Sequence, residues 1–198
     1  MLVLKEVLNR SKVDVHQVSA IGLANQRGSI VVWSKRSGKP LYNIITWQCR
    51  RTDGTVQELA RRYGCVIKEK TGLIPSSNFS LPKIKWVIEN IPKIREGLLK
   101  GEVAIGTIDT YFLWRLSGGR AYATDYTNAS RTMLFNIWKL GWDSELLDIL
   151  GGVPIDSLPE VRPSGFIHAY TDENVLGARI PIACIIGDQQ AALFGQLA

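Results

Sequence analysis

The feature that most constrains the fold is an apolar run, residues 180–186, which ends at the polar turn GDQQ (187–190) and continues as a predicted helix, residues 191–197. A buried strand that passes directly into a helix is a building unit of α/β domains. Two further apolar runs, residues 18–23 and 103–107, also end at polar turns or helical patterns. The sequence therefore predicts an α/β domain with a mixed sheet and flanking helices.

The other elements follow from hydrophobic periodicity and turn residues. Residues 36–40 lie between two β-rich runs and contain Gly and Pro, which is a hairpin signal. Thr52 or Asp53 is available to cap the next helix, and Gly64 is available to end it. Without a repeat or a linker, one domain is favoured. Further helices are predicted at residues 1–11, 55–63, 83–90, 94–99, 109–116 and 143–150, and strands at 29–35 and 41–47.

Composition excludes several classes of protein. The chain has 198 residues, of which 45% are hydrophobic and 21% are charged, as expected for a globular domain and not for a disordered tail. The widely spaced Cys49, Cys65 and Cys184 match no disulfide or zinc pattern, which predicts a reduced, cytoplasmic protein. The chain also shows neither an apolar run of ~18 residues nor the pattern of a signal peptide.

The formal net charge of +6 could attract an anionic partner. The basic residues, however, are scattered along the chain in short pairs, such as those at 50–51 and 61–62. Scattered pairs are typical of solvated surfaces. We therefore predict neither a nucleic-acid partner nor a membrane partner.

Asp188 is the strongest candidate for a catalytic residue. In open α/β sheets, ligands bind beyond the carboxyl ends of the strands, and Asp188 follows such an end. Partial desolvation there would raise its basicity and suit it to accept a proton from a substrate hydroxyl, while Gln189 could orient that hydroxyl. A purely structural N-cap explains Asp188 at least as well on the sequence alone.

A second polar turn, ANQRG at 24–28, follows another predicted strand. Arg27 could donate a pair of hydrogen bonds to substrate oxygens, and Gly28 allows a close backbone approach. The alternative is a tight turn with an exposed arginine. Trp47 could pack on a carbon skeleton, although tryptophan is more often a core residue.

Two other aspartates are explained by local structure. Asp109 precedes a helical pattern and is predicted to cap it, and Asp125 lies in a hydroxyl-rich loop that favours an Asx turn. The chain contains neither GxxxxGK[ST] nor a GxGxxG after a strand, so we expect no phosphate loop on it.

Taken in order, seven segments resemble the FGGY carbohydrate kinases, and together they span nearly the whole chain. Each is a weak signal alone, but their order makes the match specific. The segments are GLANQR (22–27), WQCRRT (47–52), KIKW (83–86), GTIDTYFLW (106–114), ATDYTNASRT (123–132), LPEVRP (158–163) and GDQQAALFGQ (187–196).

The resemblance implies a ribonuclease-H-like domain of the actin/hexokinase type, without its first hairpin. Residues 1–198 would be a partial N-terminal domain on the polyol-binding side, and the ATP-binding second domain would be absent. The implied reaction is ATP-dependent phosphorylation of glycerol or a related small polyol with Mg2+, and the fragment alone would be inactive. A homo-oligomer is left open.

The resemblance also implies roles for individual residues. Asp188 matches the family's catalytic base and would lie near the magnesium, while no metal ligand or ATP-binding residue is assigned on this chain. Arg27, Trp47 and Gln189 match residues that hold or cover the polyol. Gly28 and Asn78 replace a glutamate and a tyrosine of the family pattern. Each lost hydrogen bond is worth about 0.5–1.5 kcal/mol, so the identity of the polyol is open.

Two other functions compete with this interpretation. One is a folded fragment that binds a polyol without catalysis. The other is a basic ribonuclease-H-like module that binds nucleic acid, which would need clustered carboxylates or a contiguous basic stripe. The sequence shows neither clearly.

Overall fold

The computed structural model describes residues 2–197, which form an α/β fold as predicted. The helices are α1 (Leu2–Ser11), α2 (Asp53–Thr71), α3 (Ser80–Asn90), α4 (Pro92–Leu99), α5 (Ile108–Leu116), α6 (Tyr126–Ala129), α7 (Ser144–Asp148), α8 (Glu173–Leu176) and α9 (Asp188–Gly195). The strands are β1 (Ile21–Asn25), β2 (Ile30–Ser34), β3 (Val103–Thr107), β4 (Ala123–Asp125), β5 (Phe135–Asn136), β6 (Gly141–Trp142), β7 (Glu160–Arg162), β8 (Ala169–Tyr170) and β9 (Pro181–Gly187).

The central sheet is mixed, because β9 pairs in parallel with β1 and antiparallel with β8. Asn25 at the end of β1 lies opposite Gly187 at the end of β9. On one face of β9, Ile182 and Ile185 are buried in an apolar cluster with side chains of α5. The two polar turns that follow β1 and β9 are therefore brought to the same edge of the sheet.

The predicted strand at 41–47 is wrong. β2 forms its ladder with β3, and the segment after the 36–40 turn touches β2 only through the isolated bridges Ile30–Ile45 and Trp33–Pro40. Proline has no backbone N–H, so Pro40 cannot extend the ladder. The turn forms as predicted, but the second run is irregular.

Gly64 does not end α2, contrary to prediction. The helix continues to Thr71 and ends at Gly72, which has a left-handed conformation. Glycine inside a helix costs about 1 kcal/mol, and burial of Ile67 beyond it offsets that cost. Thr52 occupies the N-cap position but makes no capping hydrogen bond.

Several boundaries move by a few residues. β1 begins at Ile21 instead of residue 18, and α3 begins at Ser80 instead of residue 83. Pro92 is the first residue of α4, where its missing N–H costs nothing. α9 begins at Asp188, before the predicted start at 191, because the helix follows β9 without a loop. The predicted ends at residues 1 and 198 lie outside the described residues.

Two aspartates cap short helices. Asp143 caps α7, and Asp125 caps α6, in each case by accepting hydrogen bonds from two backbone N–H groups. Cys49, Cys65 and Cys184 are free thiols. Among residues 2–197, no helix is both long enough and apolar enough to span a membrane.

Candidate active site

The site lies at the carboxyl ends of β1 and β9. A cavity of about 290 Å³ opens there, and residues from both polar turns line it. Its lining consists of Arg27, Trp47, Asn78, Arg131, Asp188 and Gln189. The parallel register brings Arg27 to Asp188 and Gln189, 162 positions of the chain away from Gln189, and Trp47 and Asn78 line the same cavity, so that five residues marked separately in the sequence meet there.

Asp188 is the first residue of α9, and its side chain is exposed. The N-cap position belongs to Gly187, so the N-cap interpretation of Asp188 is wrong. Its Oδ1 accepts only the neighbouring N–H of Gln189, at 2.9 Å, among the described residues. The desolvation expected from the sequence does not occur in this chain. The carboxylate therefore retains acceptor capacity toward the cavity.

The side chain of Arg27 passes close to Gly187 at the end of β9. One of its terminal nitrogens donates to the carbonyl of Thr127 at 3.3 Å, and the other donates to Oε1 of Gln189. A Cβ on Gly187 would lie 2.4 Å from the Arg27 Cδ, so glycine is required for this approach. Burial, and then the nearby positive charge of Arg131, lower the pKa of Arg27.

Arg131 was missed by the sequence reasoning. Its guanidinium lies over the ring of Phe79, 4.4 Å from the centroid, and it lines the cavity. Burial lowers the pKa of Arg131. The residue belongs to a segment that carried the family resemblance, but an arginine after a hydroxyl-rich loop gave no independent sign of a site.

A network of buried polar side chains is hydrogen-bonded to the end of β9. The Thr127 hydroxyl accepts the Gly187 N–H at 2.7 Å and donates to Asp125 Oδ2 at 2.6 Å. Asp125 also accepts hydrogen bonds from Asn128 and Ser164, at 2.8 and 2.7 Å respectively. Because the Thr127 carbonyl also holds Arg27, this network positions both sides of the cavity.

Asp109 belongs to the same buried region and does not cap α5, so that prediction is wrong. Thr107 is the N-cap residue, and Asp109 has no exposed surface. It accepts hydrogen bonds from Thr124 at 2.6 Å and from Asn25 at 3.3 Å. Desolvation raises its pKa to about 6, against the lowering effect of its hydrogen bonds.

Trp47, Gly28 and Asn78 lie beside one another, and Trp47 and Asn78 line the cavity. The Trp47 N–H donates to Ser29 Oγ at 3.0 Å, which fixes the backbone of the exposed indole. Gly28 is buried with φ of +75°, whereas Asn78 is exposed and lines the cavity. The two departures from the family pattern therefore adjoin one another.

A larger cavity, of about 690 Å³, lies elsewhere and includes none of the predicted site residues. Two of its arginines are already paired, Arg120 with Asp172 at 2.8 Å and Arg162 with Glu160 at 2.5 Å. We place the candidate site in the smaller cavity, because the polar turns that follow the parallel strands β1 and β9 converge there.

In α/β domains, small-molecule ligands bind in polar cavities at this edge of the sheet. Residues 1–195 match the model of the "FGGY family of carbohydrate kinases, N-terminal domain", and the chain belongs to that family.

Glycerol kinases of several organisms are similar over nearly the whole chain. It is 55% identical to a glycerol kinase of Thermococcus onnurineus over 98% of its length, and 52% identical to glycerol kinase 2 of Saccharolobus solfataricus over 100%. It covers 39% of each relative. The structure of Plasmodium falciparum glycerol kinase with ADP matches 98% of the chain at 35% identity, with a TM-score of 0.92, and 39% of that protein is covered.

Proposed function

We propose that this chain is the polyol-binding part of a kinase that transfers phosphate from ATP to glycerol or a related polyol. The observation that carries the proposal is the parallel pairing of β1 with β9, which brings Arg27 to the same cavity as Asp188 and Gln189. The similarity to glycerol kinases supports the same reaction class.

In this mechanism Asp188 accepts the proton of the attacking hydroxyl. An exposed carboxylate with a single backbone donor is available for that task, and positioned bases of this kind contribute about 10²–10⁴ in rate. Gln189 is held by Arg27 and orients the hydroxyl. The remaining N–H groups of Arg27 and Arg131 bind substrate oxygens, and Trp47 covers the carbon skeleton.

ATP and Mg2+ are implied by the family, and the described residues fit them only in part. Among residues 2–197, no group of three or more His, Cys, Asp or Glu side chains could hold a metal ion. Magnesium usually binds one or two carboxylates together with phosphate oxygens and water, so Asp188 could supply at most one ligand. A cavity of about 290 Å³ suits a small polyol better than a nucleotide. We therefore assign the ATP site to a second domain outside these residues.

The test replaces the matching segment of the Thermococcus onnurineus glycerol kinase with this chain. We expect the chimera to release ADP with at least one polyol of a panel, whereas the chain alone releases none. Asp188→Asn should reduce turnover by about 10²–10⁴ without changing thermal stability, because the side chain is exposed. Asp156→Asn is the control, since Asp156 is exposed and outside the cavity.

An active Asp188→Asn chimera would refute the assignment of the base. ADP release by neither chimera nor chain, with a folded chimera, would favour the fragment that binds a polyol without catalysis. Binding of nucleic acid with a steep dependence on salt would instead favour the third interpretation.

A further inference from the structure

The cavity wall between Trp47 and Asn78 depends on the missing side chain of Gly28. A Cβ at this position would lie 2.4 Å from the carbonyl oxygen of Asn78 and 3.7 Å from the Cβ of Trp47. A carbon and an oxygen cannot approach to 2.4 Å without displacing one of them. Any side chain at position 28 must therefore move the segment that carries Asn78.

Lys83 prevents that segment from moving freely. Its side chain is fully buried in α3, and its Nζ donates to the carbonyls of Ser77 and Phe79, at 2.5 and 2.7 Å. Burial lowers the pKa of Lys83 to about 8. One ammonium group thus holds the carbonyls of the residues on both sides of Asn78. The carbonyl oxygen of Asn78 itself occupies the space that a Cβ at position 28 would need.

We propose that Gly28 determines which polyol the site admits, and that Lys83 is the positioning residue that makes this possible by fixing residues 77–79. The proposal rests on the proposed function. It follows that a residue introduced at position 28 acts first by displacing Asn78. Gly28→Glu alone therefore cannot add a usable carboxylate to the cavity unless the 77–79 segment also changes.

The experiment uses the 198-residue chain and the variants Gly28→Ala and Lys83→Met. Dissociation constants for glycerol, erythritol and xylitol are measured by calorimetry, and amide hydrogen exchange of residues 77–79 is measured by mass spectrometry. Gly151→Ala is the matched control, because Gly151 has φ of +77° and nothing lies within 4 Å of its added Cβ. It reproduces the backbone strain of Gly28→Ala without the collision.

We expect both variants to change the ratio of the glycerol and xylitol dissociation constants by at least tenfold and to accelerate exchange at 77–79 at least tenfold. Gly151→Ala should change neither. Gly97→Ala, whose Cβ would lie 2.4 Å from Val103 Cγ2, should lower stability without altering the ratio, which separates positioning from general destabilisation.

Unchanged ratios and exchange in Gly28→Ala would overturn the proposal. If that variant does not fold, Lys83→Met decides in the same way. If the unaltered chain binds no polyol, the proposed function fails, and the exchange measurement alone decides whether Gly28 and Lys83 fix the segment.

Discussion

Asp109→Asn is expected to stabilise the protein at neutral pH, because the folded chain holds the Asp109 carboxyl where ionisation is costly. The carboxyl has no exposed surface, and desolvation raises its pKa from 3.8 to about 6. Between these values the folded state keeps a proton that the unfolded state has lost. The free energy of unfolding therefore falls as pH rises through this window, and the contribution of Asp109 is fully present only below about pH 4.

The magnitude follows from the two pKa values. Each pH unit between them corresponds to about 1.4 kcal/mol, so ionisation of Asp109 costs the folded state roughly 3 kcal/mol at pH 7.5. Asparagine removes this cost and still offers an oxygen to Asn25. Its amide nitrogen would face Thr124, whose hydroxyl can turn to accept, and an imperfect bond there costs about 0.5–1.5 kcal/mol. We expect a net gain of about 2 kcal/mol at pH 7.5 and a small loss at pH 4.

The assay is urea denaturation of both proteins at pH 4 and at pH 7.5. The quantity compared is the free energy of unfolding of the variant minus that of the unaltered chain. Taking this difference cancels the titration of every group that does not interact with Asp109. Asp156→Asn, at an exposed site, should give a difference near zero at both pH values. A difference for Asp109→Asn that does not depend on pH would refute the reasoning, since it would mean that Asp109 titrates alike in both states.

Four further substitutions test packing and electrostatics. Gly97→Ala should cost about 1–3 kcal/mol in chemical denaturation, because its Cβ would collide with a side-chain carbon of β3, whereas Gly64→Ala, in open space within α2, should gain about 0.5–1 kcal/mol. The folded pKa of Lys83 lies below its ordinary 10.5, so the unaltered chain should gain stability relative to Lys83→Met between about pH 8 and pH 10.5, measured by the same method. Thr127→Val leaves the Gly187 N–H without its acceptor and should cost about 1–3 kcal/mol, with Thr127→Ser as the conservative control.

Each of the two polar turns could be predicted because its signal is local: each follows an apolar run. That Arg27 shares a cavity with Asp188 and Gln189 depends on the parallel pairing of β1 with β9, which the residue pattern alone did not predict. The helix boundary at Gly64 could not be predicted either, because the apolar contacts beyond it come from other elements.

The buried network could not be predicted for the same reason. Asn25 bonds to Asn128, which lies 103 positions away, and to Asp109, which lies 84 positions away. An aspartate before a helix looks like a cap in sequence, and nothing nearby in the chain shows that its side chain turns inward. The contact between Gly28 and Asn78 could not be predicted either, although both positions depart from the family pattern.

Three carboxylates near this edge show why residue type alone does not assign a role. Asp125 accepts five hydrogen bonds, from the backbone N–H and hydroxyl of Thr127, the backbone N–H and side-chain amide of Asn128, and the hydroxyl of Ser164. Its oxygens are therefore saturated. Asp109 is buried with fewer donors and retains its proton to a higher pH. A base needs an oxygen that a substrate can reach and that is not already saturated with hydrogen bonds. Among the three, only the exposed Asp188 meets both requirements, and for that reason the proposed proton transfer is assigned to it.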